Sequence, residues 1–324
     1  MAIAEQIETL IDRSLGRWFS EPPPPYAFEF SYAGLSWAVR PESAGAAPLA
    51  GFEPLDPDVL AISPVKDNVL RPEALERAVA AALSKAGAHL SASGAKKLKP
   101  AALILPDYST RVAVLEFESF PADRAEQLSL VRFRMKKAVP FDLDEAAISY
   151  SARTIEVPGG PRKHEVVAAA APVEVVARYE APLRAAGFAP GFVTSSALAS
   201  MDLLEGLGLV MSAKLAGRVL TVTVSEGSHL KLARCVELGE GTPDEGLLEE
   251  IMGVLAPTVV FAEDELPARP KRLVTCGFGA LAGQLAEACQ RELQMDVMPL
   301  ASPWGPPDAT NAGLRGYWMA NGRD

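Results

Sequence analysis

The chain has little of what most catalytic centres are built from. Its 324 residues include only three histidines and three cysteines. His89, His164 and His229 have no partners at the spacing a metal site needs. Cys235, Cys276 and Cys289 are far apart and form no CxxC pair, which points to a reduced, cytosolic setting without structural zinc. Cations are outnumbered, 31 Lys and Arg against 41 Asp and Glu, for a net charge of -10. That balance excludes the basic surface that displaces counterions from nucleic-acid phosphates. No stretch reaches the roughly 20 apolar residues that cross a bilayer. Glu5, Glu8 and Asp12 interrupt any leader-like apolar run at the start. There is no G-x-S-x-G, H-E-x-x-H or Walker A sequence. A soluble protein without a familiar catalytic signature is expected.

What is present is material for a large core. The chain is 49% hydrophobic and 22% charged, and its length suggests at least two domains. Ile3, Ile7, Leu10, Ile11, Leu15, Trp18 and Phe19 recur at three- and four-residue steps, which predicts an amphipathic helix over 3–19. Its mixed-charge polar face argues against membrane anchoring, and Pro22 to Pro25 follow as a stiff spacer. "FEFSYAGLSWAV" alternates about Ala33-Gly34 like a hairpin. "RPEALERAVAAALSKAG" reads as a helix, with Pro72 in its first turn and Gly87 at its end. Two strands around a polar turn follow in "KPAALILPDYSTRVAVLEFESF". A basic helix then breaks at Pro140, and "AAISYSARTIEV" and "HEVVAAAAP" flank a turn at "GGPR". The second half repeats this grammar: a hairpin turning on Ser225-Glu226-Gly227, a long helix containing Pro257, then strand, glycine turn and helix in "LVTCGFGALAGQLAEAC". Twice a strand pair leads into helices and further strands, which predicts an α/β protein of two related lobes.

This order of blocks resembles the PilM family of type IV pilus assembly proteins, within the actin-like ATPase superfamily. The resemblance covers almost the whole chain after Pro25. It rests on "VRFRMKKAVPFDLDEAAISY", on "EVVAAAAPVEVVARYEAPLRAAGFAPGFVTSSALASMDLL", on the "TCGFGALAG" turn, and on the position of the first hairpin. It implies an actin-like (ribonuclease H-like) two-lobed fold with a small inserted strand-helix-strand-strand subdomain. The implied organisation is helix and spacer at 1–25, first lobe at 26–119, inserted subdomain at 120–195, a closing helix at 196–212, and a second lobe with a shortened cap at 213–324.

The resemblance also implies a nucleotide cleft, held by Glu29 and Gly34 in the first hairpin and by Gly277 and Gly279 on the adenosine side. The sequence departs from that pattern in both phosphate turns. Tyr32 is bulky where an open turn is expected, and Lys214 stands where the second turn should carry a metal-binding acid. Carboxylates in such turns hold magnesium through water, so these changes predict weak or absent binding of ATP and magnesium, and no catalytic residues. The resemblance further implies a partner, the short cytoplasmic tail of a PilN-like membrane protein. The tail is expected in extended form between the first lobe and the inserted subdomain, with Val139 and Phe141 as apolar contacts and Arg134 and Lys137 as polar ones. From the residues alone, the basic helix reads equally as a solvated face, and the apolar pair as core. Two functions follow: a cytoplasmic adaptor recruited to the inner membrane through its partner, or a nucleotide-dependent switch or slow ATPase of the same fold.

Overall fold

The computed structural model describes residues 23–40, 46–65, 68–87, 98–156, 160–239 and 244–321. The helix expected at 3–19 lies outside them. The first hairpin is formed by Tyr26–Ser31 (β1) and Gly34–Val39 (β2), with Ser31 opposite Gly34. Leu49–Pro54 (β3) adds to its outer edge. Pro72–Ala86 (α1) follows, opened by Pro72 and closed at Gly87, whose φ of +58° is costly for residues with a side chain. Lys99–Leu105 (β4) pairs parallel with β1.

The chain then leaves this sheet. Pro106 and a 3-10 turn at Asp107–Ser109 end β4 and redirect the backbone. Arg111–Phe117 (β5), Arg124–Met135 (α2), Ala146–Ile155 (β6) and Lys163–Pro172 (β7) form a separate antiparallel sheet of order β5-β7-β6. The two strands expected around "PDYST" are therefore both present but belong to different sheets. The small unit runs from 111 to 172, not from 120 to 195, because the turn that starts it lies directly behind β4. Val173–Ala185 (α3) and Phe188–Ser195 (β8) return to the first sheet, where β8 pairs parallel with β4. The first sheet has the order β3-β2-β1-β4-β8.

Ser196–Ser200 (α4) leads to the second lobe, built from Leu209–Ala216 (β9), Val219–Glu226 (β10), His229–Glu237 (β11), Asp244–Glu265 (α5), Arg272–Cys276 (β12), Ala282–Ala288 (α6) and Asp296–Pro299 (β13). Its order, β11-β10-β9-β12-β13, repeats the first: three antiparallel strands, then two parallel ones. The β10–β11 register pairs Glu226 with His229, so Gly227-Ser228 make the turn, one position later than expected. The helix α5 runs on through Pro257.

Ala312–Asn321 (α7) crosses back to the first lobe instead of staying with the second. It packs Leu314, Tyr317 and Trp318 against Ile104, Phe192 and Ala199. Two glycines allow that approach. A Cβ on Gly316 would lie 2.0 Å from the Ala199 carbonyl oxygen, and one on Gly313 would lie 2.8 Å from Ser196 Cα. The opposite face of the first sheet is covered by α1 and α3, through Leu75, Val79, Tyr179 and Leu183. With helices on both faces, β1 and β4 are buried almost without interruption. An acid at the centre of β1 is therefore a conspicuous residue.

Candidate functional site

That acid is Glu29, 1% exposed. Its Oε1 accepts a hydrogen bond from Ser196 Oγ at 2.5 Å and from the Gly313 N–H at 3.3 Å. Its Oε2 accepts from the Leu314 N–H at 2.6 Å, at the start of α7. Burial pushes the carboxyl up to about 7, while the Lys214 charge, the Ser196 hydroxyl and the Leu314 N–H pull it back.

Lys214 does not lie in a turn, as the sequence reading placed it. It is an interior residue of β9, and the turn is formed by Gly217-Arg218. Its ammonium is buried, donates to Ser196 Oγ at 2.5 Å, and forms an ion pair with Asp107 Oδ2 at 2.7 Å. Burial disfavours the charged form, but Asp107 and Glu29 outweigh it, and the pKa of Lys214 is raised. Asp107 also accepts from the Ala197 N–H at 2.6 Å and from Thr221 Oγ1 at 3.1 Å. Glu29, Asp107 and Ser196 come from the first lobe, Lys214 and Thr221 from the second. Asp107, Ser196 and Thr221 were not legible as a site in the sequence. The one local hint is an acid directly after the apolar run of β4.

The hairpin turns close the space beside this cluster. The Tyr32 ring lies over Gly217, where an added Cβ would be 3.4 Å from the ring. What is left among Glu29, Tyr32, Asp107, Lys214, Ala216 and Ala309 is a cavity of about 20 Å³, about one water-sized sphere. Gly34 does not open the first turn. Its missing Cβ makes room for β3, because a side chain there would meet the Glu53 carbonyl at 2.3 Å and the Phe52 ring at 2.6 Å. Gly277, with φ +82°, lies against β9, and a Cβ on it would fall 2.2 Å from the Leu215 carbonyl oxygen. Gly279 alone of the four faces open space. With the Lys214 ammonium among these donors and about 20 Å³ left beside it, this space does not fit a magnesium-bound triphosphate. Among the described residues, no group of three or more His, Cys, Asp or Glu gathers to hold a metal ion. Burial pushes the Cys235 and Cys276 thiols up to about 12, so neither presents a thiolate near neutral pH.

Two other depressions adjoin the small sheet. One, of about 50 Å³, separates its outer strand β6 from β8, the outer strand of the first sheet. Its lining is mostly apolar, including Leu105, Ala147, Ala169, Val193 and Leu198, with Thr110, Ser149, Thr194 and Ser195 among them. The other, about 410 Å³, lies between β5 and β11 and is lined by Arg111, Lys231, Arg234 and Phe261, among others. Each of these cations is engaged. Arg111 donates to the Tyr108 and Thr110 carbonyls, Lys231 pairs with Glu165 at 3.1 Å, and Arg234 sits over the Phe261 ring.

The four residues expected to contact a partner line neither depression. Val139 and Phe141 pack partly buried against the small-sheet core of Val131, Met135, Leu143 and Ile148. Arg134 lies over the Phe117 ring, 5.1 Å from its centre, and donates to the Glu116 carbonyl at 3.4 Å. Lys137 is exposed. The acids after the basic helix have local tasks: Asp144 pairs with Arg132 at 3.1 Å, and Asp142 accepts from the Asp144 N–H at 2.9 Å. Phe133, which no signal in the sequence marked, is left 70% exposed by α2.

No protein-family profile and no curated protein matches the chain. Solved structures do. A PilM-PilN type IV pilus biogenesis complex matches with a TM-score of 0.68 and 16% identity, over 93% of this chain and 97% of that one. A protein of unknown function from Bacteroides thetaiotaomicron, described as having an actin-like ATPase fold, matches with a TM-score of 0.50 and 14% identity, over 85% and 91%. The chain has the actin-like fold, as its resemblance implied.

Proposed function

We propose that this protein is an adaptor in a type IV pilus or related type II secretion platform, acting at the cytoplasmic face of the inner membrane without efficient ATP hydrolysis. It binds the cytoplasmic tail of a PilN-like membrane protein. The observation that carries this reading is the apolar groove between β6 and β8, in a chain whose fold matches that of a PilM-PilN complex nearly end to end. An extended tail laid along two outer strands gains backbone pairing from their edges and affinity from small apolar pockets. Recruitment by a protein also suits a chain whose described residues include no helix long and apolar enough to cross a membrane.

Calorimetric titration of a candidate tail peptide tests the reading. Ala147 lines the groove and is only partly buried, so Ala147→Arg should reduce affinity at least tenfold while leaving the melting temperature within about 2 °C. Unchanged affinity in Ala147→Arg would move the tail elsewhere. Arg134→Glu and Lys137→Glu, on the basic helix, test the rim contacts first expected there. Phe141→Ala reports on the small-sheet core, so its binding data count only if it still melts cooperatively.

The open backbone at Gly279 favours a second reading, a nucleotide-dependent switch. Micromolar binding of ATP with magnesium, abolished by Gly279→Asn, whose side chain tolerates the φ of +49° there, and accompanied by phosphate release, would establish that reading instead. Gly277→Val is unsuited to this test, because its side chain would strike the Leu215 carbonyl whether or not a nucleotide binds.

A further inference from the structure

We propose that the Lys214 ammonium is a built-in cation: it fills a divalent-cation site made by both lobes and holds them together without any bound ligand. The inference deepens the adaptor reading and rests on its nucleotide-independent part.

The ammonium contacts two hard oxygens, Asp107 Oδ2 and Ser196 Oγ, and the Glu29 carboxylate and Thr221 hydroxyl each lie one hydrogen bond further out. Such a set suits magnesium, manganese or calcium. Here it has been satisfied by a side chain. Lys214 Nζ bonds Asp107 directly and reaches Glu29 through Ser196, whose hydroxyl accepts from the lysine and donates to the glutamate. Every carboxylate oxygen already has a donor. Asp107 Oδ1 takes the Ala197 N–H, and its Oδ2 takes Lys214 and Thr221. Glu29 Oε1 takes Ser196 and Gly313, and its Oε2 takes Leu314. A second cation would have to displace these donors and sit beside an ammonium in a medium that screens charge poorly.

The geometry also explains why the cation is a lysine on β9. Lys214 and Thr221 project from neighbouring strands of the second sheet, opposite each other in the β9–β10 register. Both meet Asp107, which the 3-10 turn after β4 carries at the edge of the first lobe. One buried charge thus joins the two sheets at the place where Tyr32 closes over Gly217. Above pH 7, where Glu29 is ionised, its carboxylate and that of Asp107 share one ammonium and leave an excess negative charge. The N–H groups of Gly313 and Leu314, in the first turn of the ten-residue helix α7, are turned toward it.

The test uses the full chain, free of nucleotide and tail peptide, melted with and without millimolar Mn²⁺. Lys214→Ala should melt about 10 °C below the parent, since it strands two buried acids. Mn²⁺ should restore several degrees to that variant. The parent and the double variant Lys214→Ala/Asp107→Asn should not respond to Mn²⁺. If Lys214→Ala does not fold alone, it is refolded in Mn²⁺: recovery of near-ultraviolet dichroism supports the proposal and continued failure overturns it. A destabilised Lys214→Ala that ignores Mn²⁺ reduces the residue to an ordinary ion pair and sinks the cation-site inference, as does a parent that responds to Mn²⁺. No tail peptide is present, so these outcomes leave the docking reading standing, and failure of docking leaves this inference standing.

Discussion

Glu29 lies between Phe28 and Phe30 in β1, and its burial sets a pH dependence whose sign can be worked out. Its carboxyl titrates near 4.5 when exposed and at about 7 when folded, with Lys214 and Asp107 as the charges that face it. The folded state therefore holds this proton more tightly. The associated stability is complete below pH 4.5 and is lost as pH rises through about 7, an effect on the order of 3 kcal/mol for a shift of this size. Melting followed between pH 5 and 8 should show a decline that Glu29→Gln flattens. An equal slope in the two proteins would mean that another group titrates. Glu29 was legible in the sequence as an acid in the first hairpin, whereas Lys214 was expected in a turn and its place inside β9 was not. Their shared partners were not legible either, because Ser196 is 167 residues from Glu29 and Asp107 is 114 residues from Thr221. Spacing within a single strand carries no record of such pairs.

At the scale of elements, most strands and helices were readable from alternation, glycine and proline. Hairpin β1–β2 and helix α1 fall where those signals place them. The start of the small unit was not readable, because "PDYST" looks like any hairpin turn. Only the pairing of β5 with β7 shows that the chain changes sheet there. The packing of two expected partner residues was hidden for a related reason. Val139 and Phe141 flank Pro140 as an exposed motif would, yet their faces turn into the small-sheet core. Phe141→Ala should therefore destabilise the protein by about 2 kcal/mol, less than a fully buried phenylalanine. Phe133→Ser, at an exposed position, should stay within about 0.5 kcal/mol. Urea unfolding of the two variants checks the contrast, and comparable losses would contradict this placement. Gly316→Ala should cost about 1–3 kcal/mol by forcing α7 away from α4. A neutral result would mean that the helices have room to separate.

For the whole molecule, the duplicated grammar in the sequence corresponds to two sheets of the same order. The sequence placed residues 213–324 in one lobe, whereas α7 serves the other, and no local pattern could have shown that. With α7 crossing over and the buried charges shared, the lobes should unfold together. Calorimetry should give one transition, with agreement between the measured and van 't Hoff enthalpies. Two resolved transitions would show that the lobes are energetically separate.

The crossing of α7 has a consequence for how the protein is made. Glu29 receives its backbone donors from residues 284 and 285 positions further along the chain. At ordinary rates of translation, roughly 15–60 s separate the synthesis of the acid from that of its helix. Until α7 is made, the first sheet has an incompletely covered apolar face and an acid without its backbone donors. The first lobe, although most of it emerges earlier, cannot finish folding until α7 has been made, so the nascent chain must be kept from associating through that face while it waits. Ribosome-bound chains halted before residue 312 should be cut readily by protease within β1 and β4, and chains carried past residue 321 and clear of the ribosome should resist.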